Sequence, residues 1–430
     1  MSESDPTFWW SFWHVLTLQS GYNSTLVILG TATLGVASGI VGTFAVLRRR
    51  ALMADALGHA TLPGIAGGFL ISILFGADGP ELLPLLIGGA VSGALGVLVV
   101  QALVLHPRVR EDAAIGLVLS VFFGVGVVLL GVVQNSVATQ SAGLESFIYG
   151  QASTMTQTDV VSLFIISCLV VAVAVVFRNV FGQVCFDADF ALSTGWPVGR
   201  IDILMMTLVT VMCVAGIPAA GLMLVVAFLI IPPAAARLWS VHLHQVLFVS
   251  AVIGGVSGWV GATLSATLPR LPTGPVIVLV SGCIFFISLL FAPRRGWFAR
   301  KWKLRARDHQ IEEDHALQHF FEEGGEVKHD QLATLFAIRG WSSWKISRLV
   351  RRLRVKRFVE DHRSVWILTE AGQKRGAKIQ RNHALWTQFL ISHADVAANH
   401  VDWSVDQVEH VLSDELVAQL EAELTGGHGP

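Results

Sequence analysis

The sequence is poor in charge and in cysteine. Only 14% of its 430 residues are charged, and acidic and basic residues nearly balance, giving a formal net charge of −1. Bulk charge therefore gives no reason to infer a nucleic-acid or acidic partner. The four cysteines are scattered through apolar segments without any CxxC pair, which argues against a disulfide framework. We expect them to be buried, reduced packing residues.

Two sequence motifs that carry catalytic chemistry are also absent. There is no GxxxxGK[ST] phosphate-binding loop, so the chain cannot by itself be an ATP-hydrolysing motor. No apolar segment contains HExxH, which counts against an intramembrane zinc protease. We therefore expect no enzyme, and passive channels, secondary carriers and permease subunits driven by a partner ATPase remain.

Apolar residues dominate the chain, at 53% hydrophobic and a mean hydropathy of +0.61. These values predict a mainly α, polytopic transmembrane helical bundle. Runs long enough to cross about 30 Å of hydrocarbon lie at 26–47, 52–75, 83–105, 113–133, 160–177, 201–215, 222–238, 246–268 and 276–291. These runs predict nine spans, or eight if the 201–215 and 222–238 pair is re-entrant at Gly216-Ile217-Pro218.

Basic clusters fall on alternate connections, so the positive-inside rule orients the bundle with a cytoplasmic C-terminus. We expect a bacterial inner-membrane protein with five segments: an interfacial N-terminal helix (1–20), a transmembrane permease domain (21–293), a basic linker (294–307), a winged-helix domain (308–370) and a helical metal-binding or dimerisation-like domain (371–430). Trp9, Trp10 and Trp13 favour the interfacial helix over a disordered tail. The linker is interpreted as a juxtamembrane lipid anchor, with a regulatory element as the alternative.

Asp55 and His59 stand four residues apart in an otherwise apolar run, so a helix would place both on one face. A carboxylate and an imidazole converging at membrane depth form half of a divalent-metal site. Pro63 follows one turn later and is predicted to free the His59 carbonyl and to act as a hinge. The alternative is a solvated Asp55 near the arginines at 48–50, with His59 hydrogen-bonded to a carbonyl.

Beyond residue 308 the pattern is helix 311–323, helix 329–336, helix 342–356 and strands 358–360 and 365–368, the order of a winged helix. The third helix carries candidate phosphate contacts for DNA or lipid. These are Lys345, Arg348, Arg351 and Arg352. A solvated basic face beside the inner leaflet explains them equally well, and DNA is not the expected partner.

The stretch from Arg50 to Gly64, RALMADALGHATLPG, resembles the signature RxxLMGDALSHAxLPG of the ABC-type manganese, zinc and iron permeases. Similarity to that family extends from about residue 25 to 293. The resemblance implies that Asp55 and His59 coordinate the metal in the translocation path and that two permease subunits pack around it. It also implies a cytoplasmic ABC ATPase, an extracytoplasmic metal-binding receptor, and Mn²⁺, Fe²⁺ or Zn²⁺ as transported ion without a permanently bound cofactor.

The stretch 186–197 is similar to the family's ATPase coupling segment, FDPExAxxxGxP. The matching residues are Phe186, Asp187, Asp189, Leu192, Gly195 and Pro197. The pattern predicts a short polar helix that ends at Gly195 and Pro197. Ala188 stands where the family usually has proline, a change that is expected to alter only the start of the helix.

The last third of the chain resembles metal-responsive repressors of the diphtheria-toxin-repressor and manganese-repressor type. By motif position the implied cytoplasmic metal ligands are His383, Asp406, Glu409 and His410, with Glu312 and His315 more loosely aligned. Residues 406, 409 and 410 would share one helix face. The alternative is a polar face in a module that has lost its ion.

Two hypotheses follow. In the first, the chain is the permease subunit of an ATP-driven importer of a divalent transition metal, and its C-terminal domain senses metal or stabilises the subunit dimer. In the second, it is a membrane-anchored, metal-dependent transcription regulator. The presence of both the metal-site signature and the coupling segment favours the first, because a pure sensor needs no ATPase dock.

Overall fold

A computed structural model describes residues 6–19, 21–75, 82–136, 155–268, 271–332 and 342–393. The chain divides into two compact units, Met1–Arg300 and Lys301–Pro430. Each unit is described by itself below.

The first unit is helical. Its helices are α1 (Pro6–Leu16), α2 (Tyr22–Leu47), α3 (Ala51–Ala60), α4 (Leu62–Leu74), α5 (Leu82–Val104), α6 (Glu111–Ser136), α7 (Gln157–Val176), α8 (Arg178–Phe186), α9 (Ala188–Ser193), α10 (Val198–Ala220), α11 (Leu222–Trp239), α12 (Leu243–Thr267) and α13 (Thr273–Phe291). With α3 and α4 taken together, nine helical segments in the described part of the chain are long and apolar enough to cross a membrane. The predicted mainly α, polytopic bundle is confirmed.

Small residues bring α2 and α12 into backbone contact at the centre of the bundle. A Cβ on Gly35 would overlap the carbonyl oxygen of Gly254, and the converse also holds. The Ser250 hydroxyl donates to the Gly39 carbonyl at 2.7 Å. Close approach of this kind is how membrane helices pack without a hydrophobic driving force between them.

The alternative of eight spans, with a re-entrant break at Gly216-Ile217-Pro218, is not supported. α10 continues through Pro218 to Ala220, and the chain turns at Gly221, whose φ of 81° suits a residue without a side chain. α10 and α11 are therefore separate helices of spanning length, which supports nine crossings instead of eight.

The expectation that all four cysteines are buried is also wrong. All four thiols are free, but Cys168 and Cys283 are exposed, whereas Cys213 is buried. The two exposed thiols lie on α7 and α13, which are among the least buried of the spanning helices. A small apolar side chain can face lipid without cost, so hydrophobicity alone did not indicate burial.

The N-terminal segment forms α1, and its three tryptophans remain 63–67% exposed. The helix is held to the bundle by the indole Nε1 of Trp259 on α12, which donates to the Leu16 carbonyl at 3.1 Å. An exposed row of indoles suits the membrane interface, and the interfacial position stays a prediction.

The second unit contains most of α14 (Trp297–Glu322), then β1 (Glu326–Lys328), α15 (Ser343–Val355), β2 (Val359–His362), β3 (Val365–Leu368) and α16 (Glu370–His393). The strands form an antiparallel sheet in the order β1-β3-β2, with Val327 opposite Trp366 and Glu360 opposite Ile367. Phe320 of α14 and Leu353 of α15 are fully buried in the core.

Three differences from the predicted pattern stand out. α14 begins at Trp297, so most of the predicted linker is helical. β1 joins the two predicted wing strands as a third strand, and three residues with one buried side chain carry little periodic signal. Residues 329–331, at the start of the second predicted helix, form a turn, and residues 333–341, which include the other half of that helix, lie outside the described residues.

Candidate metal site and coupling segment

Asp55 and His59 lie on α3, the first part of a candidate spanning segment, Ala51–Leu74, that is interrupted at Thr61. α3 ends at Ala60, and α4 starts at Leu62 with Pro63 as its second residue, a position where the missing N–H of proline is tolerated. The Ser92 hydroxyl of α5 donates to the Ala60 carbonyl at 2.6 Å. The interruption is the single residue Thr61, whose φ of −75° and ψ of −24° remain right-handed helical, and a neighbouring side chain satisfies the backbone beside it.

Glycines allow α5 and α6 to pack closely against the start of α4. A Cβ on Gly64 of α4 would overlap the carbonyl of Gly88 on α5, and a Cβ on Gly126 of α6 would lie 3.2 Å from Pro63 Cδ. Backbones at this distance leave no room for sideways movement. α4, which directly follows the Asp/His pair, is thus held between α5 and α6.

The two side chains face each other as the i, i+4 spacing predicts. Asp55 Oδ1 and His59 Nε2 are 3.6 Å apart, and the side chains keep 40% and 26% of their exposure. This separation is too long for a hydrogen bond. Two metal–ligand bonds of about 2.1 Å each can span up to about 4.2 Å, so the atoms can bind one divalent cation together.

The surroundings of His59 leave the pair open to such an ion. The Phe123 ring of α6 meets the imidazole edge-on, with ring centroids 4.9 Å apart. His59 Nδ1 is buried and has no hydrogen-bond partner among the described residues. The alternative interpretation, with His59 bonded to a carbonyl, is therefore not supported.

The nearby arginines do not neutralise Asp55, because they bind other carboxylates. Arg48 holds Asp202 of α10 through two bonds, Nε to Oδ1 at 3.1 Å and Nη2 to Oδ2 at 3.0 Å. Arg50 pairs with Glu111 of α6 and, at 3.5 Å, with Asp202. In the described residues the one ion pair recorded for Asp55 is with His59. We call Arg48, Arg50, Glu111 and Asp202 the arginine–carboxylate cluster.

Burial and pairing act in opposite directions on the Arg48 guanidinium. Burial disfavours its charge, but the hydrogen bond and the charge of Asp202 outweigh that effect and raise the pKa of Arg48 above its ordinary value. Burial also raises the pKa of the neighbouring Cys185 to about 12. Arg48 is therefore a permanent cation, and Cys185 is an unreactive thiol.

The predicted coupling segment is a short helix, α9, between α8 and α10. Asp187 caps it by accepting from the Phe190 N–H at 2.9 Å, and Ala188 is its first residue, where proline would also fit. Gly195 follows the helix with a φ of 88°, and Pro197 directly precedes α10. The predicted boundaries agree with the structure.

The outer surface of this segment is less polar than predicted. Large apolar side chains project from it: Phe186, Phe190, Leu192 and Trp196 are 66%, 53%, 57% and 40% exposed. Ala191 alone is buried within the helix. A group of exposed apolar side chains flanked by Asp187 and Asp189 is typical of a protein-docking surface.

In the second unit the acidic residues of α14 are held by basic residues. Glu312 accepts from Lys345 at 2.8 Å and from Arg352 at 2.7 Å. Burial would raise its pKa, but these two cations lower the pKa of Glu312 below its ordinary value. Glu313 accepts from Lys356 at 2.6 Å. Glu312 thus neutralises α15 here and is not presented to a metal, while His315 is buried on the same helix.

These pairs also change the interpretation of the basic helix α15. Lys345 and Arg352 lie against α14, whereas Arg351 is exposed and Arg348 stacks over Trp344 with its guanidinium carbon 3.5 Å from the ring centroid. Two of the four candidate phosphate contacts are therefore engaged within the protein. The face that remains is narrower than the sequence indicates.

The predicted cytoplasmic metal site cannot be assembled from the described residues. His383 lies half-buried on α16, whereas Asp406, Glu409 and His410 fall outside the described residues. Within the described ranges no three His, Cys, Asp or Glu side chains come close enough to hold one ion.

Sequence reasoning missed Asp202, Glu111 and Phe123 as neighbours of the site. Asp202 carried a usable signal, because a carboxylate inside the apolar α10 segment needs a partner. Phe123 carried none, since one phenylalanine among many apolar residues of α6 does not stand out.

Comparison with known proteins gives the family of this chain. Residues 22–292 match the model of the ABC 3 transport family, the range that holds the whole bundle with its Asp/His pair and coupling segment. The chain belongs to the ABC 3 transport family. It is a multi-pass membrane protein and a permease subunit. Residues 369–426 match a second model, the iron dependent repressor, metal binding and dimerisation domain.

Individual relatives of this ABC 3 family chain extend the comparison. It is 32% identical over 380 residues to the manganese transport system membrane protein MntC of Bacillus subtilis, covering 87% of this chain and 86% of the relative. It is 40% identical to the zinc transport system membrane protein TroC of Treponema pallidum, covering 68% and 96%. The solved structure of PsaBC from Streptococcus pneumoniae in complex with Fab superposes with a TM-score of 0.57 at 28% identity, covering 67% and 97%.

Proposed function

We propose that this chain is the permease subunit of an ATP-driven importer of a divalent transition metal, Mn²⁺ or Zn²⁺, in a bacterial inner membrane. The observation that carries the proposal is the Asp55/His59 pair, 3.6 Å apart on α3, where Asp55 pairs with no arginine among the described residues. Carboxylate oxygen and imidazole nitrogen suit Mn²⁺, Fe²⁺ and Zn²⁺ alike. The manganese and zinc transport relatives favour Mn²⁺ and Zn²⁺ over Fe²⁺.

Two ligands do not complete a coordination shell for these ions, which take at least four. The pair keeps 40% and 26% of its side-chain exposure, and Phe123 beside it is 43% exposed. A second permease subunit packed on this face would supply the missing carboxylate and imidazole. Homo- and heterodimers satisfy this requirement equally.

The energy source lies outside this chain, because its sequence has no phosphate-binding loop. The exposed apolar side chains of the coupling segment support docking to a cytoplasmic ABC ATPase through Phe186, Phe190 and Leu192. Delivery of the ion from an extracytoplasmic solute receptor and a cytoplasmic C-terminus complete the proposal, in keeping with the distribution of basic residues.

Metal accumulation in cells tests this function. The chain is expressed with its ATPase and receptor in a strain that lacks its own Mn²⁺ and Zn²⁺ importers, and cell metal is measured by mass spectrometry. We expect uptake from the wild type and none above background from His59→Ala at matched expression. Equal uptake by His59→Ala and the wild type would refute the assigned site.

For the C-terminal domain we propose metal sensing in the cytoplasm, supported by the match to a metal-binding and dimerisation domain at residues 369–426. The ligands would come from His383, Asp406, Glu409 and His410. Glu312 is a poor candidate, since two cations already hold it. The transcription-regulator alternative is less well supported, because half of the basic contact set of α15 is engaged internally.

A combined substitution of Asp406, Glu409 and His410 by alanine tests the sensing role. We expect initial uptake to be unchanged and the slowing of uptake at high cytoplasmic metal to disappear. Calorimetry of residues 308–430 with Mn²⁺ and Zn²⁺ provides the direct check. Absence of binding for both ions would remove the sensing proposal and leave a dimer-stabilising role.

A further inference from the structure

The arginine–carboxylate cluster joins the two functional parts of the first unit. Arg48 and Arg50 stand between the end of α2 and the start of α3. Glu111 is the first residue of α6, and Asp202 is in the first turns of α10. Four side chains thus connect the ends of four helices at one level of the bundle.

The cluster is buried where it matters most. Asp202 is 4% exposed and Arg50 is 7% exposed. Buried charges are tolerated only while they are paired, and removing one partner leaves the other charge without compensation. The four helix ends are therefore constrained to move as one set, because separating any of them would strand a charge.

One arm of the cluster extends toward the coupling segment. The Arg48 Nη1 donates to the Val184 carbonyl of α8 at 3.1 Å, while its other nitrogens hold Asp202. Val184 is two residues before Phe186, the first of the exposed apolar side chains of the coupling segment. A displacement of α8 therefore acts directly on Arg48.

The other arm extends toward the Asp/His pair. Arg50 precedes α3 immediately and Asp55 by five residues. Its partner Glu111 begins α6, the helix that places Phe123 against the His59 ring. α3, which carries His59, and α6, which carries Phe123, are thus both anchored to the cluster.

We propose that Asp202 is a positioning residue that links the α8–α9 coupling segment to the Asp55/His59 site by holding Arg48 and Arg50 together. Its carboxylate contacts both arginines, and each arginine serves one of the two arms. The inference deepens the proposed function, and its statement about transport rests on that function. Its mechanical content, a link between α8 and α3, holds whether or not the chain transports metal.

Hydrogen–deuterium exchange on the full chain in lipid nanodiscs tests the link without any partner. Asp202→Asn is nearly isosteric and removes only the charge, and Asp112→Asn, at an exposed carboxylate beside Glu111, is the matched control. We expect Asp202→Asn to speed amide exchange at least about threefold in both α8 and α3, and Asp112→Asn to change neither. Faster exchange confined to the first turns of α10 would overturn the proposal.

A second variant covers the case in which Asp202→Asn does not fold. Arg48→Lys keeps the charge but cannot form the two-bond contact with Asp202 and the Val184 contact together. The same paired change in α8 and α3 is expected, and its absence in a folded Arg48→Lys protein overturns the link.

The transport reading is tested in vesicles that contain the chain with its ATPase and receptor. The readout is ATP hydrolysed per metal ion imported, with Mn²⁺ and Zn²⁺ supplied separately, a ratio that a smaller amount of folded complex does not change. We expect the ratio to rise at least about threefold in Asp202→Asn or Arg48→Lys and to stay at the wild-type value in Asp112→Asn. An unchanged ratio overturns the coupling role. A wild-type complex that imports neither Mn²⁺ nor Zn²⁺ contradicts the proposed function instead, and the exchange result still decides the link.

Discussion

Two carboxylates on helices illustrate opposite uses of the same chemical group. Asp55 on α3 faces the His59 imidazole at 3.6 Å and pairs with no arginine among the described residues, whereas Glu312 on α14 is held by Lys345 and Arg352 within 2.8 Å. Both were candidate metal ligands from the sequence. A carboxylate is available to a metal ion only when no fixed cation of the protein already occupies it.

The arginines near Asp55 show how this availability arises. Arg48 and Arg50 are close in sequence and would neutralise Asp55 if they turned toward it. Asp202 and Glu111 hold them elsewhere, so these two acids keep the metal candidate free. In the second unit no such diversion occurs, and the basic residues of α15 engage α14 directly.

The largest expected effect breaks the comparison at Asp55. Asp55→Asn keeps the shape but removes the charge, and we expect metal uptake to fall at least about tenfold, since losing even a hydrogen-bond partner of a metal ligand lowers metal affinity or activity about 10–100-fold. Glu312→Gln should leave uptake unchanged. Accumulated Mn²⁺ and Zn²⁺ at matched expression are the measurement, and equal losses in the two variants would contradict the distinction drawn between these acids.

A smaller effect concerns the packing that presents the pair. Gly64→Ala would push a methyl group into the Gly88 carbonyl, and overpacking of this kind costs about 1–3 kcal/mol. Gly67→Ala, three residues later on the same helix, meets no atom within 4 Å and should be neutral or slightly stabilising. Thermal unfolding in detergent compares the two, and a stable Gly64→Ala protein would show that α4 and α5 are not in close contact.

The smallest expected effect sharpens the description of Glu312. Glu312→Gln removes one charge from two ion pairs, and at a side chain 17% exposed we expect a loss of about 1 kcal/mol in the second unit. Hydrogen exchange of the α15 amides in the full chain measures it. Glu323→Gln, at an exposed glutamate after the end of the same helix, is the control, and an equal change in both variants would argue against the ion pairs.

The same residue predicts a pH dependence with a definite sign. Because the folded protein lowers the pKa of Glu312, its stabilising contribution is complete above the ordinary glutamate pKa of about 4.3. The contribution is lost as the pH falls from there through the lower pKa of the folded state. Protection of α15 should therefore decline in the wild type over this acid range and less steeply in Glu312→Gln. Parallel curves for the two proteins would contradict the lowered pKa.

Much of this architecture could be predicted from residue types alone. Long apolar runs require helices in a membrane, the four-residue spacing of Asp55 and His59 requires a shared helix face, and Asp187 with Gly195 and Pro197 marks the two ends of a short helix. Each of these rules acts over a few residues of one segment. The turn at Gly221 lies in the predicted gap between the runs 201–215 and 222–238. The re-entrant alternative placed the break at Gly216-Ile217-Pro218 instead, yet proline is tolerated within a membrane helix.

The sequence by itself determined that the protein is a polytopic helical permease with a carboxylate and an imidazole on one helix face and a basic helical module after the last span. Only the tertiary structure decided which acids remain available. Asp202, 154 residues from Arg48, and Lys345 and Arg352, more than 30 residues from Glu312, settle that question by pairing across helices. Pairing of charges depends on distances between segments, and no local pattern in a sequence records those distances.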